Sequence, residues 1–251
     1  MEKISAVVIT YNEQDNIERC LSSLDWVDEI LVVDSHSTDR TVELCRKYTD
    51  RVLLHKWEGF VRQKIYATKQ AGYDWILSID ADEEVSPGLR AEIIKLRQSG
   101  FTAAAYQMPR KVFYLGKWIR RGGWYPDYKV RLFDRKQGQW IGVEVHEYWQ
   151  SAGKCARVQG DLLHYSYKNI TDHLNKINNL TSVAAVELSG KNTTASIWDL
   201  LVNPISKFIK SYFIKTGFLD GFVGLVIAVM GSYYVFLKYL KLWELQQNSK
   251  K

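Results

Sequence analysis

A chain of 251 residues can bury one large α/β domain, or a catalytic domain with an appendage, and a composition of 46% hydrophobic and 25% charged residues excludes a disordered polymer. The formal charge of +6 asks for an anionic partner such as nucleic acid, anionic lipid or a phosphorylated substrate, while 9 Trp and 15 Tyr suit carbohydrate surfaces or membrane interfaces as well as packing. Three widely spaced cysteines, Cys20, Cys45 and Cys155, with no CxxC spacing, exclude a disulfide framework and a zinc site and fit a reducing cytosol.

In chain order, residues 4–10 form a β-branched apolar run too short for a signal peptide, which reads as a first strand ending at Tyr11-Asn12-Glu13. A helical pattern with Ile17, Cys20, Leu21 and Leu24 follows. The run EILVVD ends at Asp34, passes through Ser35-His36-Ser37-Thr38-Asp39 and enters a second helix with Val42, Leu44 and Cys45 inward. A third strand near residues 51–54, a third helix over about 62–71 and the buried strand WILSID lead into Asp80-Ala81-Asp82-Glu83-Glu84. Ser86-Pro87 starts another helix. This alternation predicts an α/β fold with a doubly wound, mostly parallel, Rossmann-like sheet, in which ligands bind beyond the carboxyl ends of the strands. All three polar strand ends fall on that rim.

Past Gly100 the alternation lapses into strands and loops rich in aromatics and arginine, the natural place for recognition of a second ligand. From about Ile170 the pattern is helical, with Asn203-Pro204 read as a cap and first-turn pair and Gly217 as a stop. Over residues 204–215, Ile205, Phe208, Ile209, Tyr212 and Phe213 share one face and Lys207 and Lys210 the other, an amphipathic basic helix. Residues 222–237 are uncharged, contain Gly224 and Gly231, and are a little short for a spanning helix. They read as a tail lying in a membrane interface, with burial against the catalytic domain or a second subunit as the competing reading. The expected organisation is a ligand-binding βα half (residues 1–100), a second part of the same catalytic domain (101–168) and a helical, membrane-associating region (169–251).

Two carboxylates separated by one small residue at a strand end can share a divalent cation that grips a diphosphate, and Asp80 and Asp82 have that arrangement around Ala81. Such triplets also occur as solvated or capping residues. Asp34 stands where acids of doubly wound nucleotide sites accept hydrogen bonds from base or ribose, or where they cap a helix, a task for which Asp39 is better placed. Arg110, Arg120, Arg121 and Arg131 suit diphosphate or an anionic acceptor, with at least two of them ordinary surface charges. Trp118, Trp124 and Tyr125 either stack on sugar rings or pack in a core.

With Thr10-Tyr11-Asn12-Glu13, Asp34 to Asp39 and Asp80-Ala81-Asp82 in order, the sequence resembles the family 2 glycosyltransferases of the GT-A fold. WEGF with Arg62-Gln63-Lys64, RGGWYPD, VHE, LLHYSY, GFLDGFVGL and YYVFLKYLKLWE extend the resemblance to the lipopolysaccharide-core β-glucosyltransferase branch over nearly the whole chain. The resemblance implies that Thr10, Tyr11, Asn12 and Glu13 line the nucleoside pocket, that Asp34 contacts base or ribose, and that Lys64 sits near the nucleotide. Asp80 and Asp82 then serve ribose and metal (Mg2+ or Mn2+), Asp82 as the direct ligand. His36 stands where the family usually has glycine.

An inverting member needs a carboxylate to deprotonate the acceptor hydroxyl opposite the leaving group. Asp127, after Gly122-Gly123 and Pro126, aligns with the family's acceptor-side acid, and Glu147 is the runner-up. A turn aspartate is the plainer reading of Asp127. His146 completes the metal shell, binds phosphate or simply packs, and His164 reads as structural. The expected activity is metal-dependent transfer of a hexose, glucose favoured, from a nucleotide-sugar (a UDP-sugar favoured) to a lipid-linked saccharide such as lipopolysaccharide core. The expected place is the cytoplasmic face of the inner membrane, with room for a homo-oligomer. A sugar-phosphate nucleotidyltransferase competes but lacks a glycine-rich loop after the first strand, and the intact carboxylates oppose a non-catalytic membrane adaptor. Nucleic acid is excluded as a partner by dispersed basic residues and an acidic rim.

Overall fold

The computed structural model describes residues 1–142, 147–191 and 193–248. The strands and helices β1 (Ile4–Thr10), α1 (Ile17–Ser22), β2 (Glu29–Asp34), α2 (Thr41–Cys45), β3 (Val52–Leu54), α3 (Phe60–Gln70) and β4 (Trp75–Asp80) follow the expected alternation. After them come β5 (Glu83–Val85), α4 (Pro87–Ser99), β6 (Ala105–Tyr114), β7 (Lys117–Trp118), β8 (Asp127–Asp134), β9 (Gly138–Ile141), β10 (Tyr148–Ser151), β11 (Cys155–Arg157) and β12 (Leu162–His164). Helices α5 (Ile170–Gly190), α6 (Ile197–Ile209) and α7 (Gly221–Asn248) complete the chain.

Two compact units result, one of residues 1–111 and 127–165, the other of residues 112–126 and 166–251. Past residue 100, β6 and β8 extend the sheet of β1–β4, so residues 105–111 and 127–134 belong to the same sheet as the β/α half. Residues 112–126 belong with the C-terminal helices.

In the first unit the strands run β3-β2-β1-β4, all parallel, and β8 then pairs antiparallel with β4 and β6 with β8. The sheet is therefore parallel where the β/α alternation holds and mixed beyond it. Alternate side chains of β1 enter opposite cores: Ile4, Ala6 and Val8 pack with Ile17 and Leu21 of α1 and Leu89 and Ile93 of α4, whereas Val7 packs with Ala67 of α3, Phe133, Trp140 and Trp149. Helices thus cover both faces, which explains why the central strands are mostly apolar on both sides, with Ser5 and Ser78 the buried polar exceptions in β1 and β4 before their polar ends. Register places Thr10 opposite Asp34 and Ile9 opposite Asp80, so the polar ends of β1, β2 and β4 lie side by side.

The second unit is built on α5, α6 and α7 with the β6–β7 hairpin tip. Ser196 and Asp199 form a reciprocal capping box that starts α6 seven residues before the expected Asn203-Pro204 cap. Pro204 instead lies inside the helix, buried, with its carbonyl accepting from Ser232 Oγ at 2.8 Å. Lys210–Ile214 form a π turn, the chain reverses at Thr216 with φ 53°, and Gly217–Asp220 form a 3-10 turn before α7. A Cβ at Gly224 would collide with the carbonyl of Gly217, so this reversal needs its glycine. Trp124 packs with Tyr114, Tyr167 and His173 at centroid distances of 5.7, 5.8 and 6.0 Å, and Trp118 lies edge-on to Phe113, which favours the packing reading for both tryptophans. Burial pushes the His173 imidazole down to about 4, and Tyr114 Oη meets its Nδ1 at 2.7 Å, so this histidine is a neutral member of the core.

By length and composition, among the described residues, the helical stretch Gly217–Asn248 is long and apolar enough to cross a membrane. Lys241 of α7 nevertheless bonds Asn178 Oδ1, Thr181 Oγ1 and Ser182 Oγ of α5 at 2.7, 2.9 and 2.8 Å. Gln246 Nε2 donates to the Thr193 carbonyl at 2.7 Å.

Candidate active site

Two strand-end loops are stitched together by their own polar groups. The Asn12 N–H donates to Ser37 Oγ at 2.8 Å, the Thr38 N–H to Asn12 Oδ1 at 2.8 Å, and the Glu13 N–H to Thr41 Oγ1 at 2.8 Å. Asn12 and His36 both adopt left-handed backbone, at φ 52° and 63°. The geometry that glycine supplies elsewhere is thus kept by His36, a residue type that tolerates it better than most. Asp34 is fully buried and accepts from the Ser37 N–H at 2.8 Å and from Ser37 Oγ. Its carboxylate shapes the loop. Asp39 accepts from the Thr41 N–H at 2.9 Å and the Gln14 N–H at 3.2 Å, holding the start of α2 to the first loop.

A cavity of about 770 Å³ opens over this rim. Thr10, Tyr11 and Glu13 line it from β1, Ser35 and His36 from β2, Asp80, Ala81 and Asp82 from β4, and His164 from β12. Lys56 and Trp57, between β3 and α3, and Phe60, the first residue of α3, supply a further wall that the sequence pattern did not single out beyond the WEGF motif. Asn12, Asp34, Lys64, Asp127 and Glu147 are not among its lining residues.

Beneath the cavity runs a chain of alternating charges. Lys64, 1% exposed on α3, places Nζ 3.0 Å from Glu147 Oε1 and 2.9 Å from Asp80 Oδ1, the latter an ion pair that falls short of hydrogen-bond geometry. Arg131 on β8 bridges Asp80 Oδ2 and Glu83 Oε1, the second at 2.6 Å. Arg110 on β6 lies 3.4 Å from Glu83 Oε1 and donates to Asp127 Oδ2 at 2.7 Å, and Lys129 meets Asp127 Oδ1 at 3.2 Å. Both sequence-predicted bases are thereby joined to Asp80, Glu147 through Lys64 and Asp127 through Arg110, Glu83 and Arg131.

Burial of this chain is tolerable only because every charge has an opposite neighbour, since an unpaired buried charge costs about 3–5 kcal/mol. Burial favours a neutral Asp80, but Arg131 and Lys64 outweigh it and hold the carboxyl well below the usual range. Burial likewise opposes the Arg131 charge, and Asp80 and Glu83 more than restore it. For Asp127, burial is outweighed by Arg110 and Lys129, so its carboxylate is ionised below the ordinary range. Cys20 lies in the same corner, its Sγ 3.6 Å from the Asp80 carbonyl, and burial followed by Glu83, Asp82 and Asp80 raises it well above a free thiol. It stays a neutral thiol, unsuited to nucleophilic chemistry.

Asp82 is separate from that chain. Its Oδ2 lies 3.1 Å from His164 Nε2, with both side chains on the cavity wall, 23% and 11% exposed. His164, read from sequence as structural, is thus brought to the site. His146, the expected third member, lies outside the described residues, and among those described no three His, Cys, Asp or Glu side chains converge as a metal site. Asp80, expected to share the metal, has Lys64 on one oxygen and Arg131 on the other, whereas Asp82 faces His164.

Comparison with known proteins gives a consistent assignment. The family model described as glycosyl transferase family 2 matches residues 5–152. An uncharacterized glycosyltransferase of Rickettsia typhi is 32% identical over 262 residues, covering 100% of this chain and 90% of the relative. The lipopolysaccharide core biosynthesis glycosyltransferase LpsC of Rhizobium meliloti is 27% identical, covering 96% and 92%. Among solved structures, glucosyl-3-phosphoglycerate synthase of Mycobacterium tuberculosis is 22% identical with a TM-score of 0.39, over 43% of this chain and 44% of that one. The family match over more than half of the chain, with relatives similar along its whole length, makes this protein a member of glycosyl transferase family 2, a glycosyltransferase of the GT-A fold.

Proposed function

We propose that this glycosyltransferase is metal-dependent and inverting, and moves a hexose, glucose first among candidates, from a UDP-sugar to a lipid-linked saccharide of the lipopolysaccharide-core type at the cytoplasmic face of a membrane. The observation that carries the reading is the cavity itself. Its volume falls in the range of small-molecule sites, and it joins an apolar wall of Trp57 and Phe60 to the polar ends of β1 and β4.

Tyr11, Trp57 and Phe60 exclude water around the nucleoside, and Thr10, Glu13 and Ser35 offer polar groups to base and ribose. Thr10 Oγ1 is buried without a partner among the described residues, a polar atom that ligand contact would satisfy. Asp82 and the imidazole of His164, 3.1 Å apart through Oδ2 and Nε2, would hold a divalent cation as an oxygen and nitrogen donor pair. When bound there, such a cation neutralises charge on the departing diphosphate. Lys64 and Arg131 keep Asp80 ionised and fixed. Asp127, aimed by Arg110 and Lys129, accepts the proton of the acceptor hydroxyl as that oxygen bonds to the anomeric carbon and the nucleoside diphosphate leaves.

Offering the purified protein a panel of nucleotide-hexoses with Mn2+ and a lipid-linked core saccharide tests this directly. UDP-glucose is expected to give a glycosylated acceptor whose new bond has the opposite anomeric configuration to the donor, read by NMR coupling constants. Transfer with retention, or no transfer from any nucleotide-sugar, overturns the reading.

A further inference from the structure

The turn joining α6 to α7 is unusual for a surface meant only for water. Ile214, Leu219 and Phe222 are 71, 57 and 76% exposed, and Trp198, Leu201 and Ile205, a stripe at helical spacing on α6, are 67, 58 and 60% exposed. The same unit carries five cations, Arg120, Arg121, Lys207, Lys210 and Lys215, that form no ion pair among the described residues. The lysines are close enough to repel one another: burial, then Lys215 and Lys210, lowers the Lys207 ammonium from its ordinary value.

The arginines are fixed to this turn by hydrogen bonds. Asp220, the one carboxylate at this junction, spends its Oδ2 on the Arg120 and Arg121 N–H groups at 3.2 and 2.9 Å. The Gly122 N–H donates to the Lys215 carbonyl at 3.0 Å, and Ser211 Oγ donates to the Gly122 carbonyl at 2.9 Å. Lys117 Nζ donates to the Asp220 carbonyl at 2.9 Å. The loop that carries the guanidinium groups therefore moves with the segment that carries the exposed apolar side chains.

We propose that the exposed stripe of α6 and the α6–α7 turn dock on an anionic lipid surface, with Trp198, Ile214, Leu219 and Phe222 entering the acyl boundary and the five cations taking headgroup phosphates. Charge complementarity decides between occupants. A second copy of this face would bring like charges together in a two-fold contact. A spanning orientation would bury in hydrocarbon the Lys241 bonds to Asn178, Thr181 and Ser182. An interfacial seat satisfies both the apolar stripe and the unpaired cations. The proposal rests on the reading of a lipid-linked acceptor for its purpose, but docking itself is measured without acceptor or donor.

Flotation of the full chain with phosphatidylcholine vesicles, with and without phosphatidylglycerol, tests it. Wild-type protein is expected to float with the anionic vesicles and to be released by high salt. Lys210→Glu with Lys215→Glu is expected to weaken partitioning by roughly tenfold or more, given about 1 kcal/mol per basic residue at an anionic surface, and Ile214→Glu with Phe222→Glu to weaken it by removing buried apolar area and adding negative charge. Unchanged circular dichroism and melting of these variants confirm that the fold survives. Wild-type protein that stays unbound, that floats equally on neutral vesicles, or whose flotation ignores both double variants overturns the proposal. So does a lipid-free dimer that the same variants dissociate. Wild-type protein that floats on anionic vesicles yet turns over no nucleotide-sugar leaves docking in place and removes the transferase reading.

Discussion

Asp127→Asn is expected to lower kcat by about 10²–10⁴ while leaving the KM for the nucleotide-sugar within a few fold. The split follows from position. Asp127 stands at the start of β8 and is not among the residues lining the donor cavity, and its two oxygens are held by Arg110 and Lys129. Asparagine keeps the shape but cannot take a proton. Because the cations hold the Asp127 carboxyl below the ordinary range, the proposed base is ionised at neutral pH, and its contribution is expected to be lost only as pH falls through that lowered value. The acidic limb of kcat/KM should therefore lie below the usual carboxylate range and be absent in the variant. If Asp127→Asn is unaffected and Glu147→Gln shows the loss, the base is the residue tied to Lys64.

Asp82→Ala is expected to reduce donor turnover by roughly a hundredfold or more, the several kcal/mol that a cation contributes at a departing diphosphate. The remaining rate should no longer respond to Mn2+. Stability should change little, because Asp82 is 23% exposed and stands outside the buried chain of Lys64, Asp80, Arg131 and Glu83. The measurement is initial rate against metal concentration, with a melting curve as the control for folding. A variant that keeps wild-type metal dependence assigns the metal elsewhere.

Much of the fold was legible because it depends on local pattern. β1, β2 and β4 are short apolar runs that each end in polar residues, and each is followed by a chain of helical or loop character, so both the parallel core and the shared rim follow from periodicity. The cavity residues Thr10, Tyr11, Glu13, Asp80, Ala81 and Asp82 came from the same signal. Roles that depend on pairing across the sheet were not legible. Arg131 and Glu83 are 48 residues apart and Asp82 and His164 are 82 apart, and only the β4–β8–β6 and β12–β5 registers bring them together. Asp34 combines both kinds of information: its strand-end position was legible as a site position, but not that Ser37 three residues on donates to both of its oxygens. Pro204 was read as a helix start because proline favours first turns, but the Ser196–Asp199 capping box supplies an earlier start and the helix runs through.

The proposed metal dependence rests on the pair formed by Asp82 and His164 on the cavity wall. Calorimetric titration of the wild-type protein with UDP, in Mn2+ and again after chelation, measures it most directly. Saturable binding that appears with metal and disappears with the chelator is the predicted result. Affinity that is the same in both conditions, or no binding of any nucleoside diphosphate when metal is present, would contradict it.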